Sequence, residues 1–220
     1  MSQMAVVAQT LAFLAVAAGL VVAMAATLVS LLIGRLHPAR RTALVGISVA
    51  AGYLALLLVA SATSRTTVLP RGASKVFCEF DCHVVFDLPD SARRADDTVT
   101  ITVRESFDAA SISRERGDAP LTPGSRLIAL VDDAGHRYAV TTVRTLSASP
   151  LFAALRPGES HRAELRFLVP RAVPLRGLLI ESDDTIARFL IGHERSPFHG
   201  VVLLDVSPPG RAPTLGSNQR

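Results

Sequence analysis

Residues 162–170 read RAELRFLVP, and this stretch predicts a half-buried β-strand. Its apolar positions are Ala163, Leu165, Phe167 and Val169, and the positions between them are Arg162, Glu164, Arg166 and Leu168. Side chains on a strand point alternately to opposite faces, so this period of two places one face in a core and the other in water. An amphipathic helix would repeat its apolar residues every three or four positions instead.

The same strand pattern recurs through residues 75–207. Val99, Ile101 and Val103 alternate with polar residues inside 98–104. Short apolar runs predict further strands at residues 83–88, 127–131, 137–142, 178–180, 186–191 and 201–204. Asp133-Ala134-Gly135 separates two of these runs and signals a hairpin. Seven or eight short strands without an amphipathic helix predict an all-β, immunoglobulin-like sandwich.

Two apolar stretches precede this segment. Residues 1–34 and 42–64 contain no charged side chain. Spans at about 8–34 and 42–63 each reach the roughly 20 residues that a helix needs to cross a bilayer. An isolated strand in lipid would leave its backbone hydrogen bonds unmade. The stretches therefore predict a hairpin of two transmembrane α-helices, joined by a loop at 35–41.

The charges of this loop predict the orientation of the hairpin. Arg35, Arg40 and Arg41 place the loop in the cytoplasm, because cytoplasmic loops of membrane proteins are enriched in cations. The N-terminus and everything after Ser64 then lie outside. The chain has one lysine among 23 cations and is rich in alanine, which suggests a bacterial plasma membrane protein. Cleavage after Ala62 is the alternative, and it would release the outer domain.

Small residues recur at every fourth position in both predicted helices. Ala15, Gly19, Ala23 and Thr27 form one such series, and Gly46 and Ala50 form another. Small residues at this spacing let two helices approach closely. Packing of the two helices within one chain is the favoured interpretation, and homo-oligomerisation is the alternative.

Composition divides the rest of the chain into three parts. Residues 65–74 contain Pro70 and Gly72 without an apolar period, which predicts a linker. Residues 75–207 are enough for one core, and the polar stretch 208–220 is predicted to be a disordered tail.

The charge distribution excludes two classes of function. The whole chain carries +4, but residues 75–207 hold sixteen cations against nineteen carboxylates, a net charge of −3. A nucleic-acid-binding domain would concentrate its cations, so we expect no nucleic-acid partner. The predicted spans carry no ionisable Asp, Glu, Lys or Arg, which argues against a pump or transporter.

Two motifs in the outer segment resemble a known group of proteins. Leu155-Arg156-Pro157-Gly158-Glu159-Ser160, followed by Leu165 to Pro170, is similar to a Pro-Gly-Glu-Ser turn that leads into an F-x-V-P strand. Leu130 to Tyr138 resembles the hairpin that precedes it. Both motifs are typical of uncharacterised bacterial membrane-anchored proteins with an extracytoplasmic immunoglobulin-like domain. The resemblance implies a fold and brings no catalytic residues.

Cys78 and Cys82 open the outer domain and are a disulfide candidate, since the compartment outside the cytoplasm is oxidising. In a regular strand their Cα atoms would be about 13 Å apart, too far for a bond. A tight turn could bring them to about 6 Å. A disulfide closing so small a loop would contribute about 2 kcal/mol and would act as a local staple.

A metal site is the alternative at this segment. The Cys-x-x-x-Cys spacing, two membrane helices and a β domain are together similar to the copper-bearing subunit of cytochrome oxidase. In that subunit a His and a Met follow the second Cys, at positions that are Phe86 and Pro89 here. A soft-metal site could instead use Cys78, Cys82 and His83 with His193 or His199. The main expectation is that the protein has no cofactor.

No catalytic motif is present in the sequence. His193 and Glu194 begin like a zinc-protease helix, but the position of its second His is Pro197. We expect a non-enzymatic, membrane-tethered module that meets an unknown protein or envelope partner outside the cytoplasm. The alternative is a copper- or other metal-binding accessory protein of the respiratory membrane.

Overall fold

A computed structural model describes residues 3–77, 83–90, 92–112, 117–124 and 126–207. The chain divides into two units. The first joins the N-terminal helices, up to Arg65, with residues 184–200. The second runs from Thr66 to Asp183 and resumes at Val201.

The first unit contains two long helices, α1 at Gln3–Leu32 and α2 at Leu36–Thr63. Val7–Leu32 and Leu36–Thr63 are both long and apolar enough to cross a membrane. Most of their large apolar side chains are exposed, among them Leu11, Val22, Ile47 and Leu56. Helices that are apolar on all sides and exposed match a lipid environment better than water.

The turn between the helices is shorter than the predicted loop at 35–41. Gly34 has a φ of +72°, its N–H donates to Leu31 O at 3.0 Å, and the N–H of Arg35 donates to Ser30 O at 2.8 Å. This pair of bonds is the Schellman ending of a helix, and glycine suits its left-handed residue. Since α2 begins at Leu36, most of the interval predicted as a loop is helical. The start of the membrane-spanning part at 42 stays a prediction. Arg40 and Arg41 lie on the first turns of α2.

Small and hydroxyl side chains bring the two helices together. Thr27 Oγ1 and Thr42 Oγ1 are 2.8 Å apart, and a Cβ placed on Gly46 would lie 3.4 Å from Ala23 Cβ. The predicted packing of the two helices against each other is confirmed. A Cβ placed on Gly19 would meet nothing within 4 Å, so Gly19 does not contribute to this contact. Homo-oligomerisation stays a prediction.

Residues 184–200 form irregular structure with one short 3₁₀ helix at Ile186–Phe189. The predicted strand at 186–191 is therefore wrong. Asp184 Oδ1 accepts from the N–H of Ile186 at 2.8 Å, and the N–H of Leu190 donates to Ala187 O at 3.2 Å. An aspartate that bonds the backbone two residues on favours a turn over a strand.

The described residues of the second unit form ten strands. These are β1 Thr67–Leu69, β2 Lys75–Phe77, β3 Val84–Asp87, β4 Arg93–Ala95, β5 Thr98–Phe107, β6 Arg126–Asp132, β7 Arg137–Thr145, β8 Ser160–Leu168, β9 Leu175–Ser182 and β10 Val202–Leu204. Strand β1 lies within the interval predicted as a linker, and it pairs in parallel with β10.

The strands form two layers that share β7. One layer has the order β1-β10-β9-β6-β7, and the other has the order β7-β8-β5-β3-β2 with β4 beside β5. Ala139 of β7 lies opposite Ala129 of β6, whereas Val140 lies opposite Phe167 of β8. A bulge between Val140 and Thr142 marks the passage of β7 from one layer to the other.

One hydrophobic core lies between the layers. Its fully buried side chains include Ile101, Leu165 and Phe167 from one layer and Leu130 and Ile180 from the other. The predicted β-sandwich that follows two apolar helices is confirmed. Gly177 of β9 is needed where β9 meets β10, because a Cβ there would lie 2.8 Å from Leu203 Cβ and 2.9 Å from Leu204 O.

Candidate functional site: an arginine-rich sheet face

Along β5 and β8 apolar and polar side chains alternate, and the polar ones lie on the outward face of the sheet. Arg104 of β5 lies opposite Asp87 of β3 and opposite Arg162 of β8. Both Nε and Nη2 of Arg104 donate to the Asp87 carboxylate, at 3.0 to 3.1 Å and 2.8 Å respectively. This forked geometry fixes the arginine flat against the sheet.

Glu164 lies at the centre of the same face and binds three arginines. Its Oε2 accepts from Arg93 at 3.0 Å and from Arg144 at 3.1 Å, and its Oε1 accepts from Arg166 at 3.2 Å. The Glu164 side chain is 5% exposed, whereas those of the three arginines are 51% to 71% exposed. The carboxylate is therefore covered by guanidinium groups that themselves face solvent.

The arginines determine the ionisation of this carboxyl. Burial opposes ionisation, but the hydrogen bond from Arg166 and the charge of Arg144 outweigh it and lower the pKa of Glu164 below its ordinary value. Glu164 is thus a fixed negative charge that holds the guanidinium groups in place at neutral pH.

Positive charge exceeds negative charge on this face. Its strands carry five outward arginines, Arg93, Arg104, Arg144, Arg162 and Arg166, and two carboxylates, Asp87 and Glu164. The surplus of three guanidinium groups lies within residues 75–207, whose net charge is −3. We call these five arginines the arginine face. Guanidinium groups bind carboxylates and phosphates in a bidentate manner, so the arginine face can hold an anionic group.

A second polar feature lies inside the sandwich. Lys75, Phe86, Glu105 and His161 are successive partners across β2, β3, β5 and β8, and all four are buried. Cross-strand partners share one face of a sheet, so this row points into the core. Lys75, the one lysine of the chain, donates from Nζ to Ile180 O at 2.5 Å and to Val202 O at 3.2 Å. Both acceptors belong to the opposite layer.

Glu105 is the carboxylate of this row. Its Oε2 accepts from the N–H of Phe152 at 2.7 Å. Burial raises the pKa of Glu105 above its ordinary value, and the Phe152 N–H and the charges of His161 and Arg126 only partly offset that rise. The Arg126 guanidinium lies 4.5 Å from the centre of the Phe77 ring. These hydrogen bonds of Lys75 and Glu105 run to backbone groups, and the row buries its polar side chains in the sandwich.

The predicted Cys78–Cys82 disulfide lies outside the described residues. The flanking residues are defined: Phe77 ends β2, and His83 precedes β3. His83 Nδ1 lies 2.6 Å from Ser111 Oγ, and its ring stacks on Phe107 with 5.3 Å between centres. His83 is buried.

His193 and His199 belong to the first unit, whereas His83 belongs to the second. His193 Nδ1 accepts from the N–H of Arg195 at 3.1 Å, and His199 Nδ1 donates to Gly200 O at 2.6 Å. Burial lowers the pKa of His193, which favours its neutral form. Among the described residues, no three His, Cys, Asp or Glu side chains cluster as metal ligands do.

The sequence pattern identified part of the arginine face. Arg162, Glu164 and Arg166 alternate within one strand and therefore share a face. Arg93 and Arg144 come from other strands, and no local signal joins them to Glu164. The pairing of β4 with β5 and of β7 with β8 brings them there.

Comparison with known proteins gives one partial likeness. No protein family matches the chain, and no curated protein matches it. A secreted protein from Mycobacterium tuberculosis, MPT63, has a crystal structure similar to part of it. The two are 14% identical, with a TM-score of 0.36, over 56% of this chain and 94% of that one.

Proposed function

We propose that the protein is a non-enzymatic, membrane-tethered module whose β-sandwich binds an anionic partner outside the cytoplasm through its arginine face. The observation that carries the proposal is the surplus of three guanidinium groups on one sheet face, beside two carboxylates that fix their positions. The partner is an acidic protein surface or an anionic envelope polymer.

The two helices supply the tether in this proposal. Both are long and apolar enough to cross a bilayer, and Arg35, Arg40 and Arg41 are exposed at the hairpin turn. Cations at that end favour a cytoplasmic turn, with the N-terminus and the sandwich outside the bacterial plasma membrane.

Cysteine labelling tests this topology. In a Cys78→Ser/Cys82→Ser background, a membrane-impermeant maleimide should label Leu168→Cys on intact cells. His37→Cys should be labelled only after permeabilisation. Both positions are exposed in the structure, so access to the reagent depends on the side of the membrane. The opposite pattern would overturn the topology, and loss of the full chain from carbonate-washed membranes would overturn the tether.

Charge removal tests the arginine face. The full chain in neutral detergent should elute from a heparin column at lower salt when Arg162 and Arg166 are both changed to Gln. The matched control changes Arg156 and Arg176 to Gln. Both arginines are exposed elsewhere on the sandwich, so this variant loses the same charge. Equal shifts for the two double variants would show that retention follows net charge alone and would refute the arginine face as the binding surface.

A further inference from the structure

We infer that residues 184–200 form a lipid-contacting loop that lies against the helical hairpin and places Phe189 and Ile186 in the outer leaflet of the bilayer. The inference rests on the membrane tether proposed above. Neither the strand pattern nor the arginine face accounts for this loop, and the inference assigns it a role.

The loop is fastened to both helices of its own unit. Tyr53 of α2 donates its hydroxyl hydrogen to Phe189 O at 2.6 Å. Gly192 lies close to α1, since a Cβ placed there would be 3.1 Å from Gln9 Nε2. At the end of the loop, the N–H of Gly200 donates to Ser64 Oγ at 2.6 Å. These contacts place the loop along the hairpin, on the side away from the arginine turn.

The depth of the contact follows from helix geometry. The ring of Tyr53 lies beside that of Phe13, tilted by 48° with 6.4 Å between ring centres. At 1.5 Å per residue, Tyr53 lies about 27 Å along α2 from Arg35 and about 18 Å from Arg41. The hydrocarbon core of a bilayer is about 30 Å thick, so a hairpin whose arginines lie at the inner surface brings Tyr53 into the outer half of the core.

The exposed side chains of the loop suit that depth. Ile186 is 58% exposed, Phe189 is 51% exposed and Phe198 is 82% exposed. Many Leu and Val side chains of the two helices are exposed to a similar degree. Arg188 is exposed and has a long apolar stem, which lets its guanidinium group reach the headgroups while the stem stays in the apolar layer.

Tryptophan fluorescence can measure this depth, because the chain contains no tryptophan. Three variants of the full chain are reconstituted into vesicles whose acyl chains carry bromine, a contact quencher. Phe189→Trp reports on the loop. Ile47→Trp, at a 64% exposed position of α2, reports on the span, and Leu168→Trp, at a 62% exposed position of β8, reports on the sandwich surface.

We expect Phe189→Trp to emit at shorter wavelength than Leu168→Trp. We also expect brominated lipid to quench Phe189→Trp by about the same fraction as Ile47→Trp. This fraction should be several times larger than the fraction for Leu168→Trp. Ile186→Trp should give the same result and replaces Phe189→Trp if that variant does not fold.

The remaining outcomes separate the two proposals. An unquenched Ile47→Trp would refute the tether itself. If Ile47→Trp is quenched but Phe189→Trp is quenched no more than Leu168→Trp, the lipid-contacting loop is overturned and the tether is not. A Phe189→Trp that is shifted to short wavelength but not quenched would show that protein, such as a second copy of the chain, covers the loop, and this too would overturn the inference.

Discussion

Glu105 lies directly opposite His161 in the register of β5 and β8, and both side chains are buried in the sandwich. A raised pKa means that native Glu105 keeps its proton to a higher pH than the unfolded chain does. As pH rises above the ordinary glutamate value of 4.5, the unfolded state therefore loses its proton first, and the free energy of unfolding falls until native Glu105 also ionises.

Glu105→Gln should remove that dependence. We expect the variant to match the wild type at acid pH and to be the more stable of the two at neutral pH. Denaturant titrations of the full chain in detergent would measure this, in a Tyr53→Phe background that leaves Tyr138 as the sole fluorescent tyrosine. Parallel pH profiles for the two proteins would contradict the prediction.

Glu164 should affect the pH dependence of the free energy of unfolding in the opposite direction. Its lowered pKa stabilises the native state above the ordinary glutamate value, and that stabilisation is lost as pH falls through the native pKa. Glu164→Gln should therefore be less stable than the wild type at neutral pH, and the difference should shrink in acid.

The same substitution tests the arginine face. Glu164→Gln releases three guanidinium groups, so the variant should elute from heparin at higher salt than the wild type. Glu159→Gln removes the same charge from an exposed turn and serves as the control. If Glu164→Gln elutes at the same salt as the wild type, release of the three guanidinium groups does not affect binding to heparin. That result would count against the arginine face as the binding surface.

Particular residues show how far the sequence could lead. The alternation around Leu165 predicted the strand, its buried face and its polar face, because a period of two is a local property. Strand β1 has only three residues and is defined by its pairing with β10, so no local period could reveal it. The apolar run that begins at Ile186 resembled a strand, yet the hydrogen bond that the Ile186 N–H donates to Asp184 Oδ1 starts a turn there. The meeting of Arg93 and Arg144 at Glu164 depends on strand pairing between segments distant in sequence.

The prediction of a Cys78–Cys82 disulfide can be tested by intact mass. The non-reduced full chain should be about 2 Da lighter than the reduced chain, the mass of two hydrogens. Cys78→Ser/Cys82→Ser should lower the free energy of unfolding by about 2 kcal/mol, as expected for a short loop. A non-reduced chain with two free thiols and one equivalent of bound copper or zinc would instead favour the metal alternative with His83.

Gly46 and Gly19 provide a matched pair for the hairpin. A Cβ on Gly46 would lie 3.4 Å from Ala23 Cβ, whereas one on Gly19 would meet nothing within 4 Å. In a cysteine-free background, Thr27→Cys/Thr42→Cys should form a disulfide in the membrane, because the two hydroxyl oxygens are 2.8 Å apart.

Gly46→Leu should reduce the yield of that disulfide strongly, because a large side chain forces the helices apart. Gly19→Leu should leave the yield unchanged. A Gly19→Leu variant that keeps the disulfide but loses chemical cross-linking between chains would show that the small-residue face of α1 also joins copies of the protein. A loss of the disulfide in both variants would contradict the packing of α1 on α2 seen in the structure.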